Sequence, residues 1–190
     1  MIYTQIIGVD EVGRGPLAGP VVAVAVVLTA PIPTIKDSKA LSKKNIQYFA
    51  RILKNSCEYS IGEASVEEIE QHNILGATML AMRRAIFGIH NYSAKKILID
   101  GNQNPLKYYP QLNSDVIVKG DSIVESISAA SIIAKDYRDD LMSSLCTVYP
   151  EYYWSKNSGY GTKEHINAII KNGLTKYHRV SFCKKIVISQ

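Results

Sequence analysis

TQIIGVDEVGRGPLAGPVVAVAVVL, residues 4–28, decides how the rest of the chain is read. Two apolar runs flank a stretch rich in glycine and proline. Residues 4–10 have the length and composition of a short strand. Residues 21–28 form a continuous β-branched run between Pro20 and Pro31, the pattern of a strand buried on both faces. The connection between the two is short enough for a hairpin-like pairing. Asp10 and Glu11 end the first run, and Gly13, Arg14 and Gly15 follow at once.

Further along, strand-like and helix-like segments alternate. Residues 45–54 carry Ile46, Phe49, Ala50 and Leu53 at helical spacing, and residues 73–89 carry Leu75, Met79, Met82 and Ile86 in the same pattern. KILID (residues 96–100) and DVIVK (residues 115–119) read as two more strands. Ser122 and Glu125 have the spacing of a capping box. A long helix is therefore expected just after Asp121, with Ile123, Ile127, Ala130, Ala134, Tyr137 and Leu141 on one face. Elements interleaved in this order imply an α/β sandwich around a central sheet that mixes parallel and antiparallel pairs. With 190 residues, 46% of them hydrophobic, and neither repeat nor linker, one domain over residues 1–190 is expected.

No apolar stretch reaches the roughly 18 residues that a membrane helix requires. Nor does a charged segment followed by an apolar one open the sequence, so the expected location is the cytoplasm. Cys57, Cys146 and Cys183 are far apart and lack a CxxC spacing, which argues for free thiols rather than a disulfide framework or a zinc site. The formal charge of +5 is unevenly spread. Residues 155–190 hold seven basic residues (Lys156, Lys163, Lys171, Lys176, Arg179, Lys184 and Lys185) against Glu164 alone. Interleaved with Tyr160, His165, Tyr177 and His178, they fit a surface that meets a phosphate backbone. A solvated basic helix face has the same composition.

The chemistry is suggested by where the acids fall. Asp10 and Glu11 follow IIGV, Asp100 follows KILI, and Asp121 stands at the mouth of the long helix. Each alone also reads as a solvated loop carboxylate or a helix cap. In an open α/β sheet, however, polar residues at the C-terminal ends of strands mark the usual site. Acids crowded there repel one another unless cations neutralise them. Oxygen ligands without His or Cys select Mg2+ or Mn2+ over zinc or copper. Two such ions about 4 Å apart are the arrangement used in phosphodiester hydrolysis. Asp10 and Glu11 are adjacent on a strand and point to opposite faces, so they share a site only where the strand bends. Gly13 and Gly15 supply such a bend.

GVDEVGRGPLAGPV (residues 8–21) resembles the ribonuclease HII family, bacterial type. The resemblance continues through KDSKALS (36–42), NILGATMLAMRRAI (73–86), ILIDGN (97–102), VKGDSIVESISAASIIAKDYRD (118–139), GYGT (159–162) and HRVSF (178–182). It implies a ribonuclease H-like fold, a mixed five-stranded sheet flanked by helices, with C-terminal helices that bind substrate. The implied activity is that of a metal-dependent endonuclease with two Mg2+ or Mn2+ ions. Such an enzyme hydrolyses the RNA strand of RNA–DNA hybrids and cuts 5′ to single ribonucleotides embedded in duplex DNA. Asp10, Glu11, Asp100 and Asp121 stand at the family's four metal-binding acids. In the expected division Asp10 bridges both ions, Glu11 and Asp100 hold one, and Asp121 holds the other. Gly13, Arg14 and Gly15 match a loop whose backbone reads the ribose 2′-hydroxyl, the group that separates RNA from DNA. Tyr160 matches the tyrosine that packs on the deoxyribose after the last ribonucleotide, with a core tyrosine as the alternative. Lys39 matches a lysine that approaches phosphate, with a plain surface lysine as the alternative.

Asn157 and Ser158 depart from the basic or polar-basic residues that many relatives carry before GYGT, which shifts the expected phosphate contact to Lys156 or Lys163. Neither the extra N-terminal domain of ribonuclease HIII nor a clamp-binding C-terminal tail is expected, and a monomer is. Two other classes account for parts of the sequence. GRGPLAG is rich enough in glycine to cradle a nucleotide's phosphates, but it lacks the Gly-Lys-Ser/Thr ending of a P-loop. A non-catalytic RNA-binding module would use the basic, tyrosine-rich end and have no need of the acids.

Overall fold

The computed structural model describes residues 5–31 and 41–188, the side chains of 187 and 188 excepted. Lys39 and most of KDSKALS thus lie outside the described residues. β1 (Ile6–Val12) and β2 (Val21–Val27) form the expected antiparallel pair, and β3 (Glu58–Ala64) runs antiparallel on the far side of β2. β4 (Lys96–Asp100) and β5 (Ser114–Ile117) add in parallel on the other side of β1, giving the order β3-β2-β1-β4-β5. The mixed five-stranded sheet agrees with the expectation. β2 is buried along its whole length, as its unbroken β-branched run requires. The sequence pattern does not predict β3: EYSIGEA has little apolar content, and pairing to β2 holds it as an edge strand.

α1 (Lys43–Ser56) and α3 (Glu125–Val148) cover one face, packing Ile46, Leu53, Ala130 and Ile133 against Val24 and Val26. α2 (Val66–Phe87) covers the other, with Ala81, Met82 and Ile86 against Ile7, Val9 and Ile97. Side-chain alternation along β1 then sends Ile7 and Val9 toward α2, and Gly8 and Asp10 toward α3. A Cβ on Gly8 would lie 2.2 Å from the Ser126 carbonyl carbon, so glycine is what lets α3 approach the strand.

α2 differs from the helix expected over residues 73–89. It begins at Val66, where Ser65 and Glu68 form a reciprocal capping box with bonds of 3.3 and 2.9 Å, worth about 1 kcal/mol. Asn73 interrupts it at φ 56°, and its Oδ1 accepts the N–H groups of Leu75 and Gly76, which caps the second half. Leu75 is exposed rather than buried. The packed face is rich in alanine because β3 comes so close that a Cβ on Gly62 would meet the Ala81 carbonyl oxygen at 2.1 Å.

The capping box expected at the head of α3 is not formed. Gly120–Ser122 makes a 3-10 turn instead, and the helix starts at Glu125 after Val124, which offers no side-chain cap. Ser122 Oγ donates to Asp121 Oδ1 at 3.5 Å, and Ile123 is exposed. The cause is Asp100, whose Oδ1 takes the Gly120 N–H at 2.6 Å and holds the chain in the turn.

α4 (Trp154–Asn157), α5 (Lys163–Asn172) and α6 (Val180–Ile188) complete the C-terminal part. Here Tyr152, Trp154, Ile169 and Cys183 pack on Ala18 and Met142, so these helices dock against the loop that follows β1. The basic segment is therefore not one uniform surface. His165, His178 and Arg179 are buried, whereas Lys156, Lys163, Lys171, Lys176, Lys184 and Lys185 are exposed. Among the described residues, no helix is long and apolar enough to cross a membrane, and all three cysteines are free thiols.

Candidate active site

Strand register brings the first acids together. β1 and β4 pair in parallel with Val9 opposite Ile99, which makes Asp10 and Asp100 the next residues on neighbouring strands, at their C-terminal ends. Pairing with β4 stops there and leaves that edge of β1 open. Glu11 does not depend on a break in the strand, because β1 stays paired with β2 as far as Val12. The bend comes after the acids, at Gly13 as expected, where φ is 91°. The longer Glu11 side chain still reaches its neighbours, and one carboxylate oxygen from each of Asp10, Glu11 and Asp100 lies within 4.8 Å of the other two.

Asp10 is only 6% exposed. Burial first, and then the charge of Glu11 with a smaller push from Asp100, holds its carboxyl well above the usual carboxylate range. Hydrogen bonds from the Ser131 side chain and from the Glu11 N–H, the latter 2.7 Å long, offset only part of this. Burial raises Glu11 as well, opposed by Arg14, whose Nη1 lies 3.2 Å from Glu11 Oε1. Among the described residues, the cation paired with this group is the partly exposed Arg14 guanidinium, which reaches Glu11 and neither aspartate. Hard oxygen donors with no His or Cys among them suit a divalent cation such as Mg2+ or Mn2+.

Asp100 Oδ1 also accepts the Asp121 N–H, weakly, at 3.4 Å. Gly120 packs closely here: a Cβ on it would lie 2.7 Å from Ile127 Cδ1 and displace the end of that side chain. Asp121 is 2% exposed and sits beside Asp100 through its backbone, but its carboxylate is not one of the three that meet. Of the four acids singled out from sequence, the structure gathers three and sets the fourth alongside.

The loop over residues 13–20 runs from this group to the C-terminal helices. Leu17 N–H donates to Gly159 O, Gly19 N–H to Tyr177 O and Arg179 N–H to Leu17 O, each at 2.8 Å. Tyr160 is 46% exposed, which excludes a core role. A Cβ on Gly15 would lie 3.6 Å from Tyr160 Cε1, so the two share one surface. Asn157 and Ser158 are turned inward to the fold. Asn157 Nδ2 donates to Tyr152 O, Asn157 Oδ1 accepts the Gly159 N–H, and Ser158 Oγ donates to Asp139.

Sequence reasoning missed Arg138 and placed Arg179 on a basic surface, whereas both are fully inside. Arg138 stands within the apolar stripe of α3, four residues after Ala134 and three before Leu141, and a cation in such a stripe is a readable sign of an interior role. Beside them lies a neutral histidine pair. Trp154 Nε1–H donates to His165 Nε2 at 3.0 Å, which puts the His165 proton on Nδ1, 2.9 Å from Tyr160 O. His178 accepts the Thr175 N–H on Nδ1 and so carries its own proton on Nε2, 3.2 Å from His165 Nε2. Burial keeps both rings below the ordinary histidine range, with His178 at about 4.

Residues 7–185 match the family model for ribonuclease HII. Ribonuclease HII of Wolbachia pipientis subsp. Culex pipiens (strain wPip) is 50% identical over 180 residues, spanning 93% of this chain and 89% of that relative. That of Pelagibacter ubique (strain HTCC1062) is 48% identical over 178 residues, spanning 92% and 94%. Among solved structures, RNase HII of the PCNA:RNase HII complex from Archaeoglobus fulgidus superposes with a TM-score of 0.83 at 20% identity, over 97% of both chains. Bst-RNase HIII in complex with Mn2+ superposes with a TM-score of 0.75 at 20% identity, over 98% of this chain and 70% of that one. Likeness at that identity speaks for the fold, while the family model and the half-identical relatives speak for kinship over nearly the whole sequence. The chain belongs to the ribonuclease HII family, metal-dependent endonucleases that act on the RNA of RNA–DNA hybrids.

Proposed function

We propose that this chain cuts 5′ to single ribonucleotides embedded in duplex DNA as well as within continuous RNA strands of hybrids, leaving a 3′-hydroxyl and a 5′-phosphate. The observation that carries the reading is the meeting of Asp10, Glu11 and Asp100 within 4.8 Å, with the first two held above their ordinary pKa by burial. The donor set fits Mg2+ or Mn2+: two such ions would be held by Asp10 with Glu11, Asp100 and, alongside, Asp121. When bound, they supply Lewis acidity to the attacking water and the departing 3′-oxygen. The chain itself orients the substrate. The backbone of Gly13, Arg14 and Gly15 meets the ribose 2′-hydroxyl, and the exposed Tyr160 ring packs on the sugar beyond it. Lys156 and Lys163 take phosphates; Lys39 is assigned the same role from outside the described residues. Residues 1–190 are taken to act as one catalytic domain, in a cytoplasmic monomer.

The test is incubation with two labelled duplexes, one holding a lone ribonucleotide and one a continuous RNA strand, in Mg2+, in Mn2+ and with chelator. Product from both duplexes, cut at the stated phosphate and abolished by chelator, is the expected result. A shifted band without product in either ion would leave only a binding module.

A further inference from the structure

A guanidinium is costly to bury unless its donors are all taken, and a carboxylate is the usual partner. Arg138 and Arg179 are 1% and 0% exposed, yet among the described residues neither makes an ion pair. Every bond they form goes to a main-chain carbonyl. Arg138 reaches Pro20 O at 3.1 Å, Ser158 O at 2.8 Å and Ala18 O at 3.0 Å. Arg179 reaches Gly19 O through Nε and Nη2, Gly13 O at 2.6 Å and Arg14 O at 3.0 Å.

The two cations do different work. Arg138 ties the far half of the loop to the turn at Ser158. Arg179 draws in the carbonyls of two consecutive peptides, those of Gly13 and Arg14. No cis peptide is present among the described residues, and in a trans peptide the N–H of the next residue points opposite to the C=O. Holding those two carbonyls inward therefore turns the N–H groups of Arg14 and Gly15 outward. Neither N–H has a protein acceptor among the described residues, and both residues are exposed. Adjacent outward amides make a donor pair for an electronegative oxygen, and a cation bound behind the same peptides polarises them further.

Gly15 points the same way. Its φ is not positive and a Cβ would meet only Tyr160 Cε1, at an ordinary 3.6 Å, so the fold gives no reason for glycine there. Gly13 is the opposite case, with φ of 91° and a Cβ position 2.2 Å from Arg138 Nε. Glycine at position 15 leaves the space above the two amides clear for a sugar.

We infer that Arg179 is a positioning residue for ribose recognition: by holding the carbonyls of Gly13 and Arg14 it aims the N–H groups of Arg14 and Gly15 at the substrate's 2′-oxygen. This rests on the reading that the loop meets the ribose. Lysine at position 179 keeps the charge but cannot span two carbonyls. The experiment compares Arg179→Lys with its parent, both in an Asp10→Asn background that prevents cleavage. Fluorescence anisotropy gives Kd for a duplex with one ribonucleotide and for its all-DNA counterpart. The expected result is a fall of about tenfold in the ribo/deoxy affinity ratio, with the all-DNA Kd within about twofold of the parent's. Loss of affinity for both duplexes in proportion, or an unchanged ratio, would overturn the positioning role and leave a structural one. A ratio of one in the parent would instead overturn the ribose reading, and the inference with it. Should Arg179→Lys fail to fold, amide NMR of the parent decides. The Arg14 and Gly15 N–H protons are expected to move downfield with the ribonucleotide duplex and not with DNA, and equal responses to both overturn the inference.

Discussion

The end of β1 and the loop that follows it bury charge in opposite ways. At Asp10, Glu11 and Asp100 carboxylates face one another, and burial with mutual repulsion pushes Asp10 and Glu11 above their ordinary pKa. Against the loop that follows, Arg138 and Arg179 are buried more deeply still, but carbonyl oxygens occupy their donors. Among the described residues, the first group has one paired cation for three carboxylates, whereas the arginine nitrogens all have acceptors. A buried charge that the protein does not satisfy is kept for a ligand, whereas one that it does satisfy is framework. The acids accordingly suit a cationic ligand by their charge, and the arginines are the frame that holds the adjacent loop in shape.

Asp10→Asn breaks the comparison most sharply, because it should damage activity and improve the fold. Cleavage is expected to fall by about three orders of magnitude or more. Metal-free protein should nonetheless gain stability, since a carboxyl whose folded pKa is raised destabilises the fold once it ionises. Thermal unfolding in chelator at pH 7 measures this, and a marked drop in Tm would mean that the acid is structural after all. Next in size is the effect of the ions themselves. Mg2+ or Mn2+ at about a hundred times its Kd should stabilise the native chain by about 2.7 kcal/mol, and should do far less for Asp10→Asn.

The two loop glycines sharpen the comparison from the framework side. Gly13→Ala forces an L-residue into φ 91° and against Arg138, and should cost at least about 2 kcal/mol in denaturant unfolding. Gly15→Ala meets only a van der Waals neighbour and should stay within about 0.5 kcal/mol of the native stability. Its penalty belongs in recognition, as a loss of about tenfold in preference for the ribonucleotide duplex. If both variants lost stability alike, Gly15 would have to be counted as framework too.

How legible this was follows from the same distinction. Strands β1, β2, β4 and β5 announce themselves as apolar runs, and three of the four acids could be placed because they end such runs. β3 is held by its neighbour and not by its own composition, so its pattern is mute. The start of α2 was readable from the Ser65–Glu68 spacing and the apolar periodicity drew attention past it. Asp121 depends on a turn created by a hydrogen bond between Asp100 and Gly120, twenty residues apart, which no local pattern encodes. Arg179 was counted with the surface charge, and His165 and His178 as rings interleaved with it, since composition does not say which of these residues find enough carbonyl or ring partners to go inside. Tyr160 and the glycine loop owed their assignment to resemblance, and only packing separates Gly15 from Gly13.

The smallest effect comes from the histidine pair, and it runs opposite to that of the acids. Each ring is neutral with its proton already placed, on Nδ1 of His165 and on Nε2 of His178, so neither can take a second proton without losing an accepted bond. Burial, with the neighbouring His165, keeps His178 at about 4 against 6.5 for a free ring. Between those two values the unfolded chain binds protons that the folded chain refuses, so the stability is complete above pH 6.5 and is lost as pH falls toward 4. Asp10, with its pKa raised, contributes the reverse slope, gaining stability as pH falls. The pair is therefore best read in Asp10→Asn, without metal, as the drop in stability from pH 7 to pH 5.5. About 1 kcal/mol is expected there, and His178→Gln should remove most of it. An unaltered drop in the double variant would place the proton uptake elsewhere, and the neutral pair could then no longer be grouped with the arginines as framework.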